Sequence, residues 1–162
     1  MDVLGTEGRR AEQVLALLAT LASVTDGGEP TGVDELTHAC QAATRAERDG
    51  ADAEVVLAML LHDLGKVVGD DNHSEVSAAV LAPHVRSEVA EAVRHHPAFT
   101  QVHWGNVAPG DPDPRDAYRD QPWFGLCARM TDEWDLTSFD PTYDTLPLEH
   151  FAPLVRRLVT GA

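Results

Sequence analysis

The chain has one lysine among its basic residues, Lys66, and little basic charge of any kind. Its 27 acidic residues against 12 basic ones give a net charge of −15 with histidine neutral. Nucleic acid and anionic membrane both demand a basic surface, so neither is expected as a main partner. Cysteine is scarce as well. Cys40 and Cys127 both fall inside predicted helices, which argues against a disulfide framework and fits a reducing cytoplasm. No basic start followed by an apolar stretch marks a signal peptide, and no apolar run approaches membrane-spanning length. Strand patterning is sparse. Internal repeats and low-complexity tracts are missing. What remains is 162 residues with 43% hydrophobic and 24% charged content, expected to form one domain with one core over 1–162.

Helical periodicity fills most of that length. Val14, Leu17, Leu18 and Leu21 predict a first helix over about 9–24. Asp26-Gly27-Gly28-Glu29-Pro30 breaks it, so about 1–30 reads as an N-terminal helix and linker. Further helices are expected at about 33–48, 53–64, 73–82, 85–96, 123–136 and 148–159. The run Val55 to Leu61 is apolar all round and marks a buried helix. Segment 97–122 is punctuated by Pro97, Pro109, Pro112, Pro114 and Pro122. It reads as a long Pro-rich loop, with a short helical turn near Asp116–Tyr118, of the kind that forms lids and binding loops.

The chemistry gathers around His62-Asp63-Leu64-Gly65-Lys66. An adjacent His-Asp pair offers an imidazole and a carboxylate able to bridge two metal ions. Gly65 allows a tight turn, and Lys66 places a cation beside an approaching anion. His62 continues the buried stripe of Met59 and Val55. His73 begins a stripe with Val76 and Val80. His96 extends Val85, Val89 and Val93, although His95 lies only about 100° around the same helix. Asp135 follows Phe124 and Cys127 on the inward face, and Asp132 shares that face, so spacing alone leaves the two aspartates open. His38 sits on the helix before the His-Asp pair. Burying such groups without partners costs several kcal/mol, about 2–7 even for neutral ones, and metal coordination compensates all of them together. His84, His103 and His150 fall outside the stripes. His103, beside Trp104, is a candidate pocket residue, and Arg94 and Arg129 are candidate anion contacts.

The order His38, His62-Asp63, His73, His96, Asp135 resembles the HD-domain superfamily over roughly 33–158. The resemblance implies an all-α HD-domain helical bundle with a central dinuclear metal site. Within the superfamily, Leu61 to Val67 is similar to the corresponding string of inositol oxygenase. The 24-residue step from His38 to His62 is similar to that of both the inositol- and the phosphonate-oxidising members of the mixed-valent diiron oxygenases. Trp134-Asp135-Leu136 resembles the aromatic-Asp-Leu string that gives the last ligand there, which favours Asp135 over Asp132. By this resemblance His38, His62 and Asp135 would hold one iron, His73 and His96 the second, and Asp63 would bridge them. The implied cofactor is an Fe(II)/Fe(III) pair, with Mn, Mg or Co as alternatives. Its nitrogen and oxygen ligands, without thiolate, suit iron or manganese. The implied partners are O₂ and a small hydroxylated or phosphonate substrate, oxidised or cleaved at a C–H carbon. Lys66, with His103 and Arg94, would bind that substrate, and Lys66 and Asp63 would be the catalytic side chains. The alternative is a metal-dependent phosphohydrolase acting on a phosphoester or nucleotide. A third reading is a metal-dependent binding domain without turnover. Segment 97–122 matches neither oxygenase, so substrate identity does not carry over.

Overall fold

The computed structural model describes residues 5–24 and 31–159, and all of their regular structure is helical. Helix α1 spans Thr6–Thr20 and runs on as a 3₁₀ turn, Leu21–Ser23. Then follow α2 (Glu35–Arg48), α3 (Ala53–Leu61), α4 (His73–Leu81), α5 (Ser87–Thr100), α6 (Phe124–Arg129) and α7 (Leu148–Val159). Helix α2 packs on α3, α4 on α5, and α1 on α7. The predicted break at Asp26–Pro30 lies outside the described residues. No helix among them is long and apolar enough to cross a membrane.

Local chemistry explains the boundaries. Asp34 caps α2 by accepting from the Thr37 N–H at 2.8 Å, and Asp52 caps α3 by accepting from Glu54 and Val55. Helix α3 is buried over Val55–Leu61, as its unbroken apolar run requires. Around it lies one cluster of buried side chains including Leu18, Leu57, Phe99, Trp134 and Phe151. Cys40 and Cys127 are buried and unpaired.

Three features depart from the sequence reading. Helix α5 continues through Pro97 to Thr100, so the irregular segment begins later than expected. Pro97 has no N–H to give the Val93 carbonyl, and His96 Nδ1 donates to that carbonyl instead at 2.7 Å. The proline is tolerated because a side chain replaces the lost backbone bond. Within the remaining stretch, Pro114–Tyr118 forms the expected short helical turn. The helix predicted over 123–136 changes pitch: after α6, Met130–Asp135 is π-helical, with Leu136 N–H donating to the Thr131 carbonyl at 3.0 Å. Gly65, finally, does not use a left-handed turn; its φ is not positive. Its need is space, since a Cβ there would lie 2.1 Å from the His73 carbonyl oxygen. Gly65 lets the 3₁₀ segment Leu64–Val67 press against the start of α4, and its N–H donates to Ser77 Oγ at 2.9 Å.

Candidate metal centre

The ends of several helices meet at one buried polar cluster. His38 comes from the first turn of α2. His62 caps the C-terminus of α3, and Asp63 follows it. His73 opens α4, His96 lies in α5, and Asp135 ends the π-helical turn. The wide turn resolves the ambiguity between the two aspartates. Asp135 is buried, whereas Asp132 is exposed and accepts from Arg115 at 3.0 Å. His95 is also kept out: it stacks on Trp123 with ring centroids 4.7 Å apart.

Each of the four imidazoles is oriented by a backbone carbonyl. The Nδ1 atoms of His38, His62, His73 and His96 lie 3.0, 2.7, 2.8 and 2.7 Å from the carbonyls of Ser138, Met59, Asp70 and Val93. A donating Nδ1 leaves Nε2 as the ligating nitrogen, which is how metal-bound histidines are held. All four Nε2 atoms point at the two carboxylates. His38 Nε2 is 3.2 Å from His62 Nε2, and Asp135 Oδ1 is 3.1 and 3.4 Å from the two. Asp63 Oδ2 lies 3.5 Å from both of these nitrogens. Its other oxygen, Oδ1, faces His73 Nε2 at 3.2 Å and His96 Nε2 at 3.4 Å.

These separations fit metal ligands. Ligand bonds of about 2.1 Å place neighbouring donor atoms about 3.0–3.4 Å apart around an octahedral or tetrahedral ion. Asp63 Oδ1 is buried with no hydrogen-bond partner among the described residues. Two Nε2–Nε2 approaches, 3.2 Å for His38–His62 and 3.4 Å for His73–His96, oppose like groups whether both carry protons or neither does. A single proton relieves one such pair; cations relieve both pairs and both carboxylates together. The electrostatics agree. Burial pushes the Asp63 and Asp135 carboxyls up, but His62 and the other facing groups overcome it and hold both well below the usual carboxylate range. Burial pushes His38 down, yet hydrogen bonds to Asp135 and Asp63 raise it to about 10. The cluster is short of positive charge.

Lys66 is more constrained than its sequence position implies. Its Nζ donates to Glu35 Oε1 at 2.9 Å and lies 3.0 Å from Asp63 Oδ2, which leaves one of three N–H bonds for the cavity it lines. Glu35 is a buried carboxylate that the sequence reading missed. The signal was present, because Glu35 stands one helical turn before His38 on the inward face of α2. Burial, and after it the Asp63 charge, push the Glu35 carboxyl up, while Lys66 opposes them.

A cavity of about 660 Å³ opens onto the cluster. Asp63, His73, His96 and Asp135 line its inner end, and Thr100, Gln101 and Asn106 add neutral polar groups. Arg94 and His103 are not in its wall, contrary to expectation. Arg94 ion-pairs with Glu75 and Glu91, and His103 is exposed against Trp104. Arg129 pairs with Glu133 at 2.9 Å. Trp104 and Phe139 do line the cavity, and neither follows a helical stripe that could have announced it.

The HD domain family matches residues 36–138, nearly two thirds of the sequence. The chain belongs to the HD-domain family. This HD domain is also 34% identical, over 82 residues, to a 1-hydroxy-2-(trimethylamino)ethyl phosphonate dioxygenase (glycine-betaine-forming) of Leisingera caerulea. That similarity covers 44% of this chain and 41% of the relative, so the chain spans about two fifths of that protein's length.

Proposed function

We propose that this HD domain is an oxygenase with an iron pair. His38, His62 and Asp135 would hold one ion and His73 and His96 the other, with Asp63 placed between the two sets. The observation that carries this reading is the division of Asp63: Oδ2 faces the first set and Oδ1 faces the second, at 3.2–3.5 Å throughout. Bound there, the pair supplies O₂ activation and oxidation at a C–H carbon, chemistry that no side chain in the site offers. The substrate is a small hydroxylated molecule with an anionic group, such as a hydroxyphosphonate. Similarity to the phosphonate dioxygenase supports the oxygenase reading over a phosphohydrolase.

The chain's own residues bind, orient and exclude water. The free N–H of Lys66 meets the substrate's anionic oxygen. Glu35 and Asp63 fix the lysine so that little side-chain entropy is lost on binding. Thr100, Gln101 and Asn106 offer hydrogen bonds to hydroxyl groups. Phe139, stacked on His38 at 4.2 Å, closes one side of the inner cavity to water.

Two assays on one preparation test this. Iron-loaded protein should consume O₂ only when a hydroxyphosphonate or polyol from a panel is added. Phosphate release from a nucleotide and phosphoester panel, with Mn(II), Mg(II) or Co(II) and air excluded, would overturn it in favour of a hydrolase.

A further inference from the structure

The cavity is unlike at its two ends. Asp63, His96 and Asp135 at its inner end are buried, and cations are wanted there. Its mouth carries Trp104 and Asp70, both exposed. Trp104 is a large apolar side chain left 46% exposed at the edge of a polar cavity. Its ring meets Phe139 nearly at right angles, 83°, with centroids 5.4 Å apart. The rings meet edge to face and His38 covers one side of Phe139, so the exposed Trp104 indole is the main π-surface of this corner, and such a surface attracts cations and suits the methyl groups of an alkylated ammonium. Asp70 adds a full negative charge to the same mouth. Its carboxylate has no hydrogen bond or ion pair among the described residues; only its backbone carbonyl is used, by His73. Lys66, the basic side chain in the wall, is held by Glu35 and Asp63.

We propose that the mouth of the cavity is a subsite for a methylated ammonium group, held by Trp104, Phe139 and Asp70. The proposal rests on the reading above in placing the substrate in this cavity, and it narrows the substrate class to zwitterions. The anionic end of such a molecule lies toward Lys66 and the metal cluster, and the cationic end lies at the aromatic corner.

Binding to the metal-loaded protein, with air excluded, tests this without turnover. Choline is compared with 3,3-dimethylbutan-1-ol, its uncharged carbon isostere, by ligand-detected NMR. Choline should bind on the order of 10-fold more tightly, as a partly desolvated cation–π contact predicts. Trp104→Ala should remove most of that preference and Asp70→Asn about 3-fold of it, while the isostere changes by less than about 2-fold in either. Equal binding of the two probes, or an equal loss of both in Trp104→Ala, overturns the proposal and leaves a plain apolar wall. A second pair, the trimethylated hydroxyphosphonate and choline, separates the subsite from the function. If the choline preference stands and the phosphonate adds nothing, the ammonium subsite is supported and the hydroxyphosphonate reading fails.

Discussion

The two ends of the polar cluster use the same residue types in different surroundings. His38 and His62 are sealed between α2 and the end of α3, each 1% exposed and outside the cavity wall, and their partner Asp135 alone of the three reaches the cavity. His73, at the start of α4, lines the cavity with its side chain 16% exposed. A sealed set is committed to its ion and is part of the folded core. An open set leaves room for exchange and for substrate. The difference teaches that the two halves of a bridged site can divide the work, one anchoring and one reacting.

Asp63→Ala should have the largest effect, because it cuts the link between the halves and also removes a partner of Lys66. Metal content, measured by elemental analysis, should fall from about two ions per chain to one or fewer, with activity lost. Full metal content in this variant would break the comparison altogether. His38→Ala against His73→Ala sharpens it. The first should lose metal and also several degrees of Tm, since it empties a buried position. The second should keep one ion and nearly normal Tm. Equal behaviour of the two would mean the halves are alike.

Packing beneath the site comes next. Gly65→Ala should lower stability by about 3 kcal/mol in chemical denaturation, because the added Cβ meets backbone of His73 and not a movable side chain. Lys66→Met should cost a similar amount, about 3 kcal/mol, by leaving Glu35 buried without its cation. Adding Glu35→Leu should recover much of that loss. If the second substitution recovers nothing, the pair is not a compensating one.

The smallest effect lies far from the cluster. Asp52 pairs with Arg86, whose hydrogen bond is the main reason its carboxyl titrates below the ordinary range. A depressed folded value means the stabilisation is present above the unfolded Asp value and is lost as pH falls through the folded one. Asp52→Asn should therefore cost less than about 1 kcal/mol at neutral pH, the pair being solvent-screened. The gap between the two proteins should close as the solution is acidified below about pH 4.

Much of this was legible because helices repeat. The stripes through Met59 and His62, and through Val89, Val93 and His96, direct these histidines inward, and both are buried. Periodicity failed where the chain leaves the α-helical pitch. The π-helical turn of Met130–Asp135 changes which aspartate faces inward, and only the resemblance to diiron oxygenases favoured Asp135. Pro97 read as a terminator because its effect on Val93 is visible in sequence, while the compensating His96 bond is not. Trp104, Phe139 and Asp70 reach the cavity from irregular segments, where spacing carries no facing information. Arg94, on the regular helix α5, is turned to Glu75 and Glu91, and His103 lies in an irregular segment, so neither is in the cavity wall.

The most direct test of the central claim is low-temperature EPR on protein purified anaerobically with iron and partly reduced with ascorbate. The account predicts a coupled S = 1/2 signal from two irons joined through Asp63, present in the parent chain and absent in Asp63→Ala. Isolated high-spin iron alone, with one ion per chain, would contradict it.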